Sequence, residues 1–230
     1  MKTAAIIVAA GSSDRFDGPV PKQFHEVSGR PLLAWTIGQF EAAASIDSIL
    51  LVVAEEQLLF ASEKVIDPFR YRKVTRIVPG GSSRQESVLN GLERLPVSTE
   101  LVAIHDGARP LTDPADIDSV VAVAAEHGAA MLAAGVTDTI KRAREGYVLS
   151  TLDRRELFLA QTPQVFGYDL IIEAHRRAAA DGLEVTDDAA LIEAAGFKVR
   201  LVESRRPNLK VTSRDDMEIV AARLTGEAGE

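Results

Sequence analysis

Two short segments near the N-terminus contain the residue types that bind phosphate. The first, A-A-G-S-S-D-R-F, spans residues 9–16 after an apolar run, and the second, P-K-Q-F, spans residues 21–24. Small side chains let backbone N–H groups approach phosphate oxygens closely, and Arg15 and Lys22 add two cations. We predict a phosphate-binding loop; the alternative is a surface loop with two solvated charges. Neither G-x-G-x-x-G nor a G-K-[ST] loop is present, which disfavours nicotinamide-dependent enzymes and P-loop NTPases.

Two further motifs follow apolar runs in the middle of the chain. P-G-G-S-S-R-Q-E-S-V spans residues 79–88, where a serine can cap the next helix and exposed N–H groups could bind a base edge. A routine strand-to-helix turn is the alternative. H-D-G-A-R-P spans residues 105–110, and its Asp106 would lie at the carboxyl end of a central strand, where α/β sheets bind ligands. Asp106 is therefore a candidate Mg²⁺ ligand, with a turn or helix cap as the alternative, and His105 is interpreted as a structural hydrogen-bonding residue.

Five polar motifs in the second half of the chain are weak when each is taken alone. T-D-D-A can be a helix N-cap followed by acids in the first turn, the lysine of N-L-K-V-T can be an ordinary surface residue, and T-P within Q-T-P-Q indicates a turn. The motifs are T-D-T-I-K-R (137–142), L-D-R (152–154), Q-T-P-Q (161–164), T-D-D-A (186–189) and N-L-K-V-T (208–212).

The segments that must position these motifs alternate between short apolar runs and helix-length amphipathic stretches. Runs that are apolar throughout are typical of strands covered on both faces, and the alternation predicts a doubly wound α/β fold with a mostly parallel sheet, which we expect to form one domain over residues 1–230. Predicted strands are 3–8, 48–53, 75–78, 101–104, 130–134 and 198–201. Predicted helices are 31–43, 57–67, 84–94, 113–127, 168–181, 187–195 and 215–224.

Residues 137–161 interrupt this alternation and predict a protruding β-hairpin arm. The segment 139–141 precedes a turn at 144–146, and apolar triplets at 147–149 and 157–159 follow it. A projecting hairpin cannot bury its apolar face alone, so we expect the arm to mediate a homodimer.

The composition argues against several classes of binding partner and of stabilising cross-link. The net charge is −8, which argues against a general nucleic-acid-binding protein. The apolar run at residues 4–10 is too short to span a membrane. Cysteine is absent, so disulfides and thiolate metal sites are excluded, and a reducing compartment fits. We expect a cytoplasmic protein that binds neither nucleic acid nor membrane.

The motifs together are far more specific than any one of them. Eight of them occur in order and resemble those of the 2-C-methyl-D-erythritol 4-phosphate cytidylyltransferases of the non-mevalonate isoprenoid pathway, over nearly the whole chain. The resemblance implies a Rossmann-like nucleotidyltransferase fold, CTP and 2-C-methyl-D-erythritol 4-phosphate as substrates, and Mg²⁺ as cofactor. The motifs are A-A-G-x-x-x-R, P-K-Q-F, G-G-x-x-R-x-x-S-V, H-D-G-A-R-P, D-T-I-K-R, Q-T-P-Q, T-D-D-A and N-x-K-V-T.

The resemblance also implies a role for each matched residue. Arg15, Lys22, Arg154 and Lys210 would be the catalytic residues. The triphosphate would lie against Ala9, Ala10, Gly11, Arg15 and Lys22, and the cytosine and ribose against Gly81, Ser82 and Ser87. Asp106 would bind Mg²⁺. The acceptor phosphate would lie near Arg109, Thr139, Arg154, Thr186 and Lys210, with Thr139 and Arg154 acting from the arm of the second subunit.

Two positions depart from the family pattern, and two other functions compete with it. Ser13 stands where members usually have glycine, and Ser82 where many have aspartate.

Within enzymes the alternative is ribitol 5-phosphate cytidylyltransferase, against which the opening A-A-G and the motif D-G-A-R-P argue. From another class, the alternative is a nucleotide-binding regulatory protein without turnover, against which the joint presence of Arg15, Lys22, Asp106 and Lys210 argues.

Overall fold

A computed structural model describes residues 1–11, 16 and 21–226. A 3₁₀ turn at Glu55–Gln57 and a π-helical turn at Ser62–Ile66 lie on either side of a short helix at Leu58–Ala61. The strands are β1 (Thr3–Ala9), β2 (Glu26–Val27), β3 (Arg30–Pro31), β4 (Ser48–Val53), β5 (Val74–Pro79), β6 (Leu101–Asp106), β7 (Ala129–Gly135), β8 (Lys141–Arg144), β9 (Tyr147–Thr151), β10 (Phe158–Gly167) and β11 (Arg200–Glu203). The helices are α1 (Leu32–Ala42), α2 (Leu58–Ala61), α3 (Arg84–Leu92), α4 (Pro114–His127), α5 (Tyr168–Asp181), α6 (Asp188–Ala194) and α7 (Arg214–Gly226).

Seven strands form the central sheet, in the order β11-β7-β10-β6-β1-β4-β5. Within the described residues, β10 alone pairs antiparallel with its neighbours, β6 and β7, and the other pairs are parallel. The register sets Val8 opposite Asp106 and Ala9 opposite Val53, so β1, β4 and β6 end at the same edge of the sheet. The predicted doubly wound, mostly parallel α/β fold is confirmed.

Helices cover both faces of the sheet because its central strands are apolar on both sides. One core lies under α1 and α4 and contains Phe40 and Val120, and the opposite core lies under α3, α5 and α6 and contains Val88 and Ile171. A third cluster joins α7 to the β2–β3 hairpin and to the loop after β6. No helix in the described part of the chain is both long enough and apolar enough to cross a membrane.

The predicted hairpin is present, but it is shorter than residues 137–161. β8 and β9 pair through a turn at Glu145 and Gly146, which have φ of 52° and 82°, and every residue of both strands is exposed. The assignment of residues 157–159 to the arm was wrong for two of them, since Phe158 and Leu159 pair with Gly135 and Ala134 in the main sheet.

The missed strand, β10, includes the segment interpreted as a turn. The Thr162–Pro163 peptide bond is cis and lies inside β10, where the pairing with β7 is irregular between Ala160 and Gln164. Proline removes a ladder donor, and the irregularity accommodates it. A turn signal in the sequence therefore marks a kink within a strand.

Candidate functional site

The loop after β1 forms one wall of a cleft at the carboxyl edge of the sheet. Ala9, Ala10 and Gly11 line it together with Lys22. Lys22 begins a single 3₁₀ turn, which is tied to the loop because Gln23 Nε2 donates to the carbonyl oxygen of Ala9 at 2.9 Å. This tie brings the A-A-G and P-K-Q-F motifs to the same opening. Arg15 lies outside the described residues.

The glycine pair before α3 forms the facing wall. A Cβ atom on Gly80 would lie 2.4 Å from Ala10 Cβ and 2.7 Å from Ser87 Oγ, so only glycine permits this approach of the two loops. Ser87 Oγ accepts from the Gly81 backbone N–H at 3.0 Å. The hydroxyl and the N–H of Ser82 both donate to Glu86 Oε2, at 2.6 and 2.7 Å, as in a helix-capping turn.

Asp106, the last residue of β6, is the centre of a buried charge cluster. Its Oδ1 lies 3.1 Å from Arg84 Nε, and its Oδ2 lies 2.8 Å from Lys210 Nζ and 3.5 Å from Arg109 Nε. Burial alone would raise the pKa of Asp106, but Arg84, Lys210 and Arg109 together lower that pKa well below its usual range. Asp106 is therefore a permanent anion that holds three cations at the edge of the sheet.

His105 supports Asp106 from inside the core. The ring is fully buried, and this burial lowers the pKa of His105 to about 3. The carbonyl oxygen of Arg109 lies 3.2 Å from His105 Nε2 and can only accept, so the proton of the neutral ring is assigned to Nε2. Nδ1 then accepts from the hydroxyl of Thr162 at 3.0 Å, and Thr162 Oγ1 accepts from the Asp106 backbone N–H at 3.1 Å. The structural interpretation of His105 agrees with these contacts.

The segment that carries Lys210 is tied to the loop after β6 along its length. The backbone N–H of Val211 donates to the Ala108 carbonyl oxygen at 2.8 Å. Arg109 donates to the carbonyl oxygen of Asn208 at 2.8 Å, and Asn208 Nδ2 donates to the carbonyl oxygen of Thr162 at 2.8 Å. These bonds explain how a lysine far along the chain reaches Asp106.

The structure brings most of the predicted site residues together. The cleft has a volume of about 460 Å³, and a neighbouring cavity of about 210 Å³ shares Arg84, Asp106 and Lys210 with it. Predicted residues lining the cleft are Ala9, Ala10, Gly11, Lys22, Gly81, Ser82, Ser87, Asp106 and Lys210. Predicted residues lining the smaller cavity are Asp106, Arg109, Thr186 and Lys210.

Of the predicted residues that the structure describes, two line neither space. Thr139 is exposed near the base of the arm, and the Arg154 guanidinium donates to the carbonyl oxygen of Thr137. Their absence from both cavities is compatible with a role in a second subunit, which stays a prediction.

Arg84 is the main site residue that sequence reasoning did not select. It lines both spaces and touches Asp106 directly. The signal was available, because arginine is one of the fixed positions of G-G-x-x-R-x-x-S-V. Gln161 and Asp187, from two other motifs, also line the smaller cavity.

The donor set fits a Mg²⁺ ion held mainly by substrate. Among the described residues lining the cleft, Asp106 is the only carboxylate, and no group of three or more His, Cys, Asp or Glu side chains in the described ranges could hold a metal. Mg²⁺ is commonly bound by one or two carboxylates together with substrate phosphates. A carboxylate has about four acceptor positions. Arg84 and Lys210 lie within hydrogen-bond distance of Asp106, at 3.1 and 2.8 Å, and Arg109 Nε lies farther away at 3.5 Å, so acceptor positions remain for a metal.

Comparison with known proteins agrees with the motifs. The family model described as 2-C-methyl-D-erythritol 4-phosphate cytidylyltransferase matches residues 3–226. The protein of that name from Pelotomaculum thermopropionicum is 42% identical over 229 residues, covering 99% of this chain and 96% of its own length. The one from Desulforamulus reducens is 43% identical over 221 residues, covering 96% and 94%.

Solved structures share the fold over nearly the full chain. The 4-diphosphocytidyl-2C-methyl-D-erythritol synthase of Anaerococcus prevotii superposes with a TM-score of 0.86 at 30% identity, covering 97% of this chain and 98% of the other. The 2-C-methyl-D-erythritol 4-phosphate cytidylyltransferase of Thermus thermophilus gives 0.79 at 32% identity, covering 98% and 100%. The resemblance read from the motifs is confirmed.

Proposed function

The chain belongs to the 2-C-methyl-D-erythritol 4-phosphate cytidylyltransferase family, and we propose that it transfers the cytidylyl group of CTP to 2-C-methyl-D-erythritol 4-phosphate and releases pyrophosphate. The observation that carries this proposal is the cleft in which Asp106 gathers Arg84, Arg109 and Lys210. A reaction between two phosphates brings anions together, and a site for it must screen their charge. We also propose that residues 1–230 act as one domain.

The proposed reaction needs alignment and charge stabilisation more than proton transfer. An oxygen of the acceptor phosphate attacks the α-phosphorus of CTP and forms the new O–P bond. The bond from the α-phosphorus to the bridging oxygen breaks, and its electron pair leaves with pyrophosphate. A phosphate monoester is already anionic near neutral pH, so no general base is required. Lys22 supports the charge that develops on the departing group through a preorganised contact.

The two adjoining spaces suit the two substrates. We assign CTP to the larger cleft, with the triphosphate against Ala9, Ala10, Gly11 and Lys22 and, as a prediction for a residue outside the described ranges, Arg15. Gly81, Ser82 and Ser87 are assigned to the cytosine and ribose. We assign the acceptor phosphate to the smaller cavity, where Arg109 and Thr186 line the wall beside Lys210.

We propose Mg²⁺ as the cofactor, bound by Asp106 and the phosphates of CTP. The ion supplies charge neutralisation at the triphosphate when it is bound. Asp106 contributes a carboxylate that stays ionised, because its three cationic neighbours hold its pKa low.

We propose a homodimer in which the arm completes the acceptor site of the second subunit. Thr139 and Arg154 lie on or beside the arm and away from the cleft of their own chain. The exposed Tyr147, Val148 and Leu149 give the hairpin an apolar surface without cover in its own chain. A cytoplasmic location stays a prediction from the sequence.

Release of pyrophosphate from CTP tests the proposed reaction directly. We expect release to require Mg²⁺ and 2-C-methyl-D-erythritol 4-phosphate, with CTP preferred over ATP, GTP and UTP. Turnover with ribitol 5-phosphate in place of the methylerythritol phosphate would favour the related cytidylyltransferase. Tight CTP binding without pyrophosphate release from any polyol phosphate would instead support a regulatory nucleotide-binding protein.

A further inference from the structure

Arg84 is held at both ends of its guanidinium group. It is the first residue of α3, and its Nε lies 3.1 Å from Asp106 Oδ1 while its NH1 lies 2.8 Å from Asp188 Oδ2. Burial lowers the pKa of Arg84, but Asp188 and then Asp106 raise it, and the net result is a pKa above the usual value. An arginine side chain loses much rotamer freedom when it is buried, and two anchors on the planar guanidinium fix its orientation.

Asp188 reaches Arg84 from outside the cleft. It is the first residue of α6, is 1% exposed, and belongs to neither set of described residues that line the two substrate cavities. A buried carboxylate is costly unless it is paired and hydrogen-bonded. The buried Asp188 carboxylate therefore needs a charged partner, and Arg84 is that partner.

His175 fixes the second oxygen of Asp188. Its Nε2 lies 3.0 Å from Asp188 Oδ1, and its side chain, on α5, is fully buried. Because the carboxylate can only accept, Nε2 carries a proton and donates a hydrogen bond to Asp188 Oδ1. A continuous series of contacts, Asp106–Arg84–Asp188–His175, thus runs from the floor of the cleft into the core beneath α5 and α6.

Asp188 also offsets part of the positive charge around Asp106. Around Asp106 three cations face one carboxylate, and Asp188 supplies the second negative charge, which leaves a net charge of one positive unit. Without Asp188, Arg84 would keep a single anchor, and it would compete with Lys210 and Arg109 for the same carboxylate.

We propose that Asp188, oriented by His175, is a positioning residue for cytidylyl transfer that holds Arg84 against Asp106 so that both side chains keep their orientation toward the substrates. This inference rests on the proposed function for its reaction, although the positioning itself is a property of the unliganded chain.

The first test is Asp188→Asn, which keeps the shape and removes the charge. We expect kcat to fall by about 10–100-fold, the loss typical when an outer partner of a metal ligand such as the proposed Asp106 is removed, with a smaller change in KM for CTP. The matched control is Asp116→Asn. Asp116 is also buried, at 2% exposure, and its ion pair with Arg205, at 3.5 Å, lies on the opposite face of the sheet. The control should keep kcat in the folded protein. Equal kcat for Asp188→Asn and wild type would overturn the proposal.

A pair of His175 variants decides the matter if Asp188→Asn does not fold. His175→Gln places an amide donor near the position of Nε2, and His175→Leu removes the donor with a similar volume. We expect His175→Gln to keep more kcat than His175→Leu in the folded fraction. Equal kcat in the two variants would contradict a role in orienting Asp188.

A double variant separates positioning from general stability. Arg84→Gln together with Asp188→Asn removes both buried charges and leaves no unpaired one. If Asp188 acts through Arg84, the double variant should have the kcat of Arg84→Gln alone, whereas independent losses that multiply would overturn the proposal.

A crystal structure of unliganded Asp188→Asn tests the positioning without any reaction. We expect Arg84 Nε to move beyond 4 Å, about the limit of an ion pair, from Asp106, and an unchanged contact would overturn the proposal. A wild-type protein that fails to release pyrophosphate would refute the proposed function and leave this result standing.

Discussion

The cleft and the arm are built in opposite ways. Asp106 is tied to cations from three separate segments of the chain, and its side chain is 11% exposed. On the arm, every residue of β8 and β9 is exposed, and the ion pair Arg144–Glu145 joins adjacent residues. The chain therefore fixes the side chains around Asp106 by its own contacts, whereas the side chains of the arm are left uncovered by the described residues of the same chain.

The largest effect on turnover is expected at Asp106, which contacts the three cations. Asp106→Asn removes the charge shared by Arg84, Arg109 and Lys210 while it keeps the side-chain shape. We expect turnover to fall by about 10³-fold, since a preorganised electrostatic contact is typically worth 10²–10³ and here a proposed metal ligand is lost as well. Steady-state pyrophosphate release across a Mg²⁺ titration measures this. An unchanged Mg²⁺ dependence would remove Asp106 from the metal site.

Lys22→Ala tests the opposite wall of the cleft. Loss of one preorganised cation should lower kcat by about 10²–10³-fold and affect CTP binding much less. Calorimetric titration with CTP beside kinetic assays separates the two. Lys64→Ala, an exposed lysine in the π-helical turn, is the control and should behave as wild type. Turnover near wild type in Lys22→Ala would exclude Lys22 from the mechanism.

Mixing two damaged proteins tests whether the arm serves the other subunit. Lys22→Ala and Arg154→Ala should each be nearly inactive. If Arg154 acts across the interface, each mixed dimer has one site with both lesions and one with neither. Random pairing of equal amounts gives about half mixed dimers, so activity should return to roughly a quarter of wild type.

The control for this mixture is the neighbouring arginine. Arg155 pairs with Asp153 of its own chain at 2.6 Å, and Arg155→Ala should be active without mixing. If exchange of subunits is demonstrated by mass spectrometry and no activity returns, the shared acceptor site is wrong, although the reaction could still stand.

The smallest expected effect is the loss of folding stability at acidic pH. We expect part of this loss to arise from His105 beside the cleft and none of it from the arm. Burial lowers the pKa of His105 to about 3, so the unfolded chain takes up this proton near pH 6.5 and the folded chain does not. The stabilisation from a neutral His105 is complete above about pH 6.5 and is lost as pH falls toward 3. In His105→Gln the free energy of unfolding should fall less between pH 6 and 4, by up to about 1.4 kcal/mol per pH unit. Leu149→Ser, an arm variant without a titratable group, should keep the wild-type slope, and equal slopes in His105→Gln and wild type would contradict the assignment.

The centre of the sheet was largely predictable because strands such as β1 and β4 are apolar over nearly their whole length. The run at 48–53 matches β4 at both ends, and the helix at 168–181 matches α5. β10 escaped detection because Pro163 resembles a turn residue and because its first residues, Phe158 and Leu159, are exposed at 42% and 59%. No local pattern distinguishes an irregular strand of this kind from the end of a hairpin.

The site was predictable in its residue types but not in its connections. The motifs contained Lys22, Asp106 and Lys210, and all three line one cleft. The link from Asp106 through Arg84 to Asp188 joins residues that are 22 and 104 positions apart, so short-range spacing carries no information about it. From the sequence alone, an arginine at the start of a helix is expected to be solvated, and only the fold shows the two carboxylates beside it.

The tie between Val211 and Ala108 has a consequence for the order in which the protein is made. Synthesis proceeds from the N-terminus, so β1, β4, β5 and β6 leave the ribosome early and can pair as a unit. Lys210 lies 104 positions after Asp106 in the sequence. A nascent chain therefore lacks the complete set of cations around Asp106 until α4, α5 and α6 have also been made.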